Sequence, residues 1–166
     1  MDPLKILYSL PAVCLCGGVQ HFLHVARLLQ SRGHQVEIWA PMVRDVDRMF
    51  PEGYTVPIHQ HHTLTGNLYT LPPEKHPVSF LRTMYQLTFG LSRLCREWPG
   101  DIDLIHAGFF PNVLAAAKSR EHRTQPKVVH ALHHPPEEIL RSAYRRYWRL
   151  WKNAPLVADG ILTVSR

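Results

Sequence analysis

The sequence predicts an α/β fold, a Rossmann-like three-layer domain with a parallel sheet flanked by helices, on three observations. Short apolar runs recur with little polar alternation, the pattern of parallel strands covered on both faces. Segments of helical spacing separate these runs. The first strand, helix and strand follow one another through connections short enough for a right-handed crossover unit. At 166 residues the chain has the length of one domain and can bury a single substantial core. Hydrophobic residues at 45% and charged residues at 19% are an ordinary globular balance, which excludes wholesale disorder.

The elements follow in order. Lys5 to Leu10 reads as the first strand. From Gly18, apolar residues at Val19, Phe22, Leu23, Ala26 and Leu29 make a helical stripe that ends at Arg32 and Gly33, a basic last turn and a C-cap glycine. Gln35 to Ala40 supplies the second strand and Pro41 stops it. Residues 41 to 78 are less regular, with a short strand expected at Thr55 to His59 and a long loop after it. Ser79 to Trp98 returns to helical spacing, with Phe80, Met84, Leu87, Leu91 and Leu94 on one seam, and Pro99 with Gly100 ends it. A strand at Asp103 to Ala107 leads to a helix from about Pro111, since proline is tolerated in a first turn. Lys127 to Leu132 is a strand whose end carries His133 and His134, a long helix spans Glu137 to Lys152, and Gly160 to Val164 is the last strand.

A formal charge of +6 and a sequence pI near 9.5 favour anions, whether phosphate groups, an acidic membrane face or nucleic acid. Cys14, Cys16 and Cys95 form neither a disulfide framework nor a zinc set, and C-x-C is not the C-x-x-C of redox proteins. That usage suits a reducing compartment, so a cytoplasmic location is expected. Asp2, Pro3 and Pro11 interrupt the first residues, so neither a signal peptide nor a membrane span is visible.

The loop from Pro11 to Gly18 lies at the carboxyl end of the first strand, where open α/β sheets place ligands. Gly17 and Gly18 either let backbone amides approach a phosphate at a helix N-terminus or serve a tight turn that needs positive φ. The pair is neither G-x-G-x-x-G nor a Walker A sequence. His133 can act at a site or simply hydrogen-bond the backbone at a strand end, and His106, inside an apolar strand, can be a satisfied core group. His59, His61 and His62, with His133 and His134, lack the flanking Cys or Glu that define a metal site, so they read as a solvated loop and no metal is expected. In the helix over 137–152, Ile139, Leu140, Ala143, Tyr144, Tyr147, Leu150 and Trp151 share one face, and Arg141, Arg145, Arg149 and Lys152 share the other. Such a helix packs on a sheet with a solvated basic face, or lies on an anionic membrane. No nucleic-acid recognition module is present.

Taken in order from about Lys5 to Arg166, KILYSLP, GGVQ opening a helix, SRGHQVEIWAP, DIDLIHA, KVVHALHH and ADGILTVSR resemble the landmarks of the N-terminal domain of family 4 glycosyltransferases with the GT-B fold. The resemblance implies the N-terminal half of a two-domain enzyme that transfers a sugar from a nucleotide-sugar donor with retention of anomeric configuration, using no metal or other cofactor. It implies that Gly17 and Gly18 face the donor diphosphate and that His133 is the catalytic histidine near the transferred sugar. His106 matches the first histidine of a DxxHxH-like segment whose second histidine is replaced by Gly108, and Gln20 replaces the glutamate of GGVE. His106, Gln20 and His134 are thus the implied sugar or acceptor contacts.

The family's C-terminal domain, which holds the nucleotide and carries a characteristic glutamate pair, has no counterpart in residues 1–166 and is expected in the same or another polypeptide. The chain alone is therefore expected to be inactive, because half a cleft cannot align donor and acceptor. The implied partners are a nucleotide-sugar donor and an unidentified sugar, lipid or small-molecule acceptor, without nucleic acid. Peripheral contact with the inner face of the membrane through 137–152 is an option. Two other classes stay open: a stand-alone, non-catalytic α/β module that binds an anionic ligand, and an interaction protein that docks on membrane or a partner through its basic helix.

Overall fold

The strands are β1 (Lys5–Ser9), β2 (Gln35–Ala40), β3 (Ile58–Gln60), β4 (Leu104–Ala107), β5 (Lys127–Leu132) and β6 (Gly160–Thr163). The helices are α1 (Gly17–Ser31), α2 (Val46–Met49), α3 (Phe110–Ser119) and α4 (Trp148–Val157), with a 3-10 turn at Arg120–His122. This computed structural model describes residues 2–61, 95–122, 126–132 and 148–163. The strands form one sheet in the order β3-β2-β1-β4-β5-β6. Every neighbouring pair is parallel. The predicted α/β class and parallel sheet are what the chain forms.

Parallel strands cannot present one face to water when helical crossovers cover both, which is why β1 is apolar almost throughout. Ile6 and Tyr8 pack with Val19, Phe22, Leu23 and Ala26 of α1 in one buried cluster. Leu7 belongs to the opposite cluster, with Ile105 and Ala107 of β4, Val128 of β5, Phe110 and Val113 of α3 and Ala154 of α4. The sheet is the middle layer between these two cores. Leu10 lies past the end of β1 yet donates its N–H to the Trp39 carbonyl at 2.9 Å, so the ladder outlasts the strand by one residue.

α1 closes where the sequence places its glycine stop. Gly33 takes φ +92° and donates to the Gln30 carbonyl at 3.0 Å, while His34 donates to Leu29 at 3.2 Å. A left-handed residue here satisfies the last carbonyls of the helix at no steric cost to glycine. Arg32 is the C-cap itself and not part of a basic last turn.

Several boundaries differ from the sequence reading for local reasons. β3 starts at Ile58 and not at Thr55, because the Thr55 hydroxyl and carbonyl bond the side chain of Gln30 on α1 at 2.8 and 3.4 Å. α2 was not signalled, and it follows Asp45, a non-glycine residue at φ 60°. α4 continues to Val157, beyond the expected end at Lys152, since Ala154 is buried against the α3 side of the sheet. Most of the expected helix over 79–98 falls outside the described residues, although Cys95 and Trp98 at its end are buried in the same cluster. Residues 137–147 also fall outside them. Among the described residues no helix is long and apolar enough to cross a membrane.

The solvated histidine loop needs correcting at one position. His61 is 2% exposed. Its N–H donates to the Ala40 carbonyl at 3.0 Å, its ring lies tilted against Trp39 with centroids 5.2 Å apart, and the Glu97 carboxylate is 3.6 Å from Nδ1. His59 stacks on Trp39 at 4.6 Å and remains partly exposed. His62 is outside the described residues, among which no group of three metal-ligating side chains occurs.

The amino edge of the sheet is tied down by side chains reaching backbone. Asp103 accepts from the Lys5 N–H at 2.8 Å. Asp159 accepts from the Val128 N–H at 2.7 Å, pairs with Arg120, and lies 3.7 Å from Lys127 Nζ. Removing the Asp159 carboxylate (Asp159→Ala) strands that N–H and is expected to cost about 1–3 kcal/mol, read as a lower denaturation midpoint with no change in cooperativity. At the other edge, a Cβ on Gly108 would lie 2.9 Å from Leu10 Cδ2 and 3.1 Å from the Phe22 ring. Gly108→Ala is expected to lower stability by roughly 1–3 kcal/mol through overpacking, and a midpoint equal to that of the unsubstituted chain would contradict this packing.

Candidate functional site at the carboxyl edge of the sheet

β1 and β4 lie side by side, with Ser9 opposite Ala107, but their chains leave in opposite directions. From β1 the chain crosses to β2, on one side, and from β4 to β5, on the other. Diverging crossovers leave a crevice beyond the carboxyl ends of these two strands, the topological switch point at which open α/β sheets take ligands. α1 and α3 begin there, on opposite faces of the sheet.

The start of α1 is open. Cys16 is its extended N-cap, and the first helical bond runs from the Gln20 N–H to the Cys16 carbonyl at 3.0 Å. Helix geometry therefore leaves the N–H groups of Gly17, Gly18 and Val19 without intrahelical acceptors. No side chain caps them and the first turn carries no acid. The aligned peptide dipoles add partial positive charge at this end, so the position favours an anion.

The two glycines are not there for an unusual backbone. The glycines at positive φ are Gly33 and Gly53, which removes the tight-turn explanation for Gly17 and Gly18. A Cβ at either position would find no atom within 4 Å, so close packing inside the chain does not require glycine. What their lack of side chains does is keep the surface over the amides clear. The preceding loop is held in place by a parallel bridge between Val13 and Val43, in which Val13 donates to Met42 at 2.8 Å and Arg44 donates to Val13 at 3.0 Å.

α3 opens on the same crevice with Phe109 as its N-cap, no side-chain cap and no acid in its first turn. Pro111 sits in that turn as the sequence predicted. Asn112 Nδ2 donates to Ser9 Oγ at 2.9 Å, and both residues are fully buried. This bond ties the start of α3 to the last residue of β1 and so fixes the floor of the crevice. The sequence reading passed over both residues, because a pair separated by 103 positions leaves no local pattern.

The remaining candidates are spread out. Gln20 lies one turn into α1 and is partly buried. His106 is 8% exposed and faces α1, with its ring 4.7 Å from Tyr8 and 5.2 Å from Phe22. That is an aromatic, largely buried environment. Burial alone pushes the Tyr8 phenol above its ordinary range, so it stays neutral. Gly108 sits directly at the rim, where the space a second histidine would need is filled by Leu10 and Phe22. His133 and His134 lie outside the described residues, and β5 brings the chain to this same edge at Leu132. The described part of the site is thus an uncapped helix N-terminus over a buried hydrogen-bonded floor.

The fold is similar to that of the catalytic domain of starch synthase IV from Arabidopsis thaliana, whose structure contains ADP and acarbose, with a TM-score of 0.51 and 16% identity over 80% of this chain and 34% of that one. A glycosyltransferase from Rickettsia africae is similar with a TM-score of 0.45 and 14% identity, over 98% of this chain and 43% of its own. The chain therefore spans less than half the length of either. No curated protein sequence matches it. The sequence profile of Glycosyltransferase Family 4 matches residues 16–166, from the N-cap of α1 to the last residue, and the chain belongs to that family.

Proposed function

We propose that this chain is the acceptor-side, N-terminal domain of a retaining glycosyltransferase that transfers a sugar from a nucleotide sugar. The observation that carries this reading is the start of α1, where two glycines with no steric or conformational need to be glycine leave three amides open at the switch point. Breaking the bond between a sugar and a nucleotide diphosphate puts negative charge on the departing phosphate. The amides of Gly17, Gly18 and Val19 and the dipole of α1 are preorganised to receive such charge, and they do so without rearranging at the moment of reaction. ADP in the related starch synthase structure fits a nucleoside diphosphate as the group held here. No metal is required in this scheme, since helix N-terminus and backbone supply the positive potential.

His133, just past the end of β5, is assigned the place beside the transferred sugar, and Gln20 and His134 the contacts to sugar or acceptor. His106, assigned with them as a sugar or acceptor contact, lies against Tyr8 and Phe22. The second half of the cleft, which would bind the base and ribose, belongs to a further domain of the same or another polypeptide. The three cysteines, none in a disulfide, suit a cytoplasmic enzyme.

Two measurements test this reading. Substituting both glycines (Gly17→Ala with Gly18→Ala) should leave the fold intact or raise its stability by about 0.5 kcal/mol or more, because alanine finds open space and loses less backbone entropy. Calorimetric titration with pyrophosphate and ADP should show at least a roughly ten-fold weaker affinity in the same variant, the loss of one or more hydrogen bonds to a charged group. Unchanged affinity in a folded variant would sink the assignment of the glycines. Separately, the purified 166-residue chain should give no appreciable sugar transfer from ADP- or UDP-sugars. Robust turnover would show that the proposed second domain is not needed.

A further inference from the structure

Immediately before the glycines the chain carries two thiols, Cys14 and Cys16, with one residue between them. We propose that Cys14 and Cys16 are a reversible thiol–disulfide modification site at the mouth of the crevice, reactive toward small disulfides such as oxidised glutathione.

The backbone prepares the pair. Residues two apart are separated by at most about 7 Å when fully extended. Here the Cys16 N–H donates to the Cys14 carbonyl at 2.8 Å, a three-residue turn that draws the two ends together, into the range of Cα separations a disulfide spans. Both ends are fixed from outside the turn: Cys14 follows Val13, which is bridged to Val43, and Cys16 caps α1. Leu15 between them is 49% exposed, so the turn faces solvent.

The two thiols differ in a way that assigns their order of reaction. Cys16 is exposed and Cys14 is half-buried. Burial first, and then Cys16 itself, push the Cys14 thiol up from its ordinary value, with Asp45 acting in the same sense and Arg44 against. Cys16 is therefore the attacking group. Its thiolate attacks one sulfur of the small disulfide, forms a mixed disulfide and expels one small thiolate. The capped Cys16 no longer carries a charge to oppose ionisation of Cys14, and the Arg44 guanidinium remains to favour it. Cys14 loses its proton to solvent, attacks the Cys16 sulfur and expels the second small thiolate. Overall the two protein thiols are oxidised to one disulfide and the small disulfide is reduced to two thiols. A disulfide closing so short a loop gains little from chain entropy and carries strain, which makes it readily reduced again. Cys95, buried beneath α3 with its thiol on the Ala115 carbonyl at 2.8 Å, takes no part.

The test uses the reduced full chain, exposed to oxidised glutathione and followed by intact-protein and peptide mass spectrometry. The expected product has lost two hydrogens, both from the peptide that carries Cys14 and Cys16, and retains no glutathione. A glutathione adduct that persists on Cys16 in the unsubstituted chain would overturn the proposal, as would a lack of reaction at both thiols or a bond to Cys95. With the resolving thiol removed (Cys14→Ser), the adduct on Cys16 should accumulate. With the attacking thiol removed (Cys16→Ser), modification should be at least ten-fold slower than in Cys14→Ser. Equal rates in the two variants would overturn the assigned order.

Discussion

The rest of the structure depends on the burial of β1 from both sides. Lying between β2 and β4, it must be apolar on both faces, and its two faces seed separate cores. Because the crossovers from β1 and β4 part in opposite directions, the same strand also generates the crevice. Core and candidate site are thus consequences of one placement. Gly108 makes the connection physical, since it allows Leu10, the residue that follows β1, and Phe22 of α1 to close over the end of β4.

The two edges of the sheet are used differently. At the amino edge, carboxylates of Asp103 and Asp159 satisfy strand amides, and the Leu4 N–H donates to His34 Nδ1 at 3.1 Å. At the carboxyl edge, two helices begin with neither a side-chain cap nor an acid in the first turn. Uncapped helix starts forgo stabilisation that a Ser, Thr, Asp or Asn would give. Leaving them uncapped at the switch point is reasonable where an anion from outside is to complete them. The basic balance of the whole chain works in the same direction.

The turn holding Cys14 and Cys16 stands immediately before those open amides. Its thiols and the glycines share one short stretch, whose preceding backbone is held by the bridge at Val13. A loop of this kind combines a rigid frame with accessible groups, the arrangement by which loops carry function on α/β scaffolds.

The sequence by itself determined the class of fold, the succession of the strands β1 to β6 along the chain, and the position of the loop that opens α1. These follow from local patterns: continuous apolar runs, the stripe from Val19 to Leu29, and the glycine at 33. It left two explanations for Gly17 and Gly18, and only the folded chain, with neither residue at positive φ and open space over both, removed one of them. Only tertiary structure decided that Ser9 and Asn112 meet, that His61 is buried on Trp39, and that His106 lies under Phe22. Contacts of this kind join residues far apart in the chain, and the side of the sheet to which a polar residue points depends on strand register and on which helix covers that face, neither of which is encoded in any short run of residues.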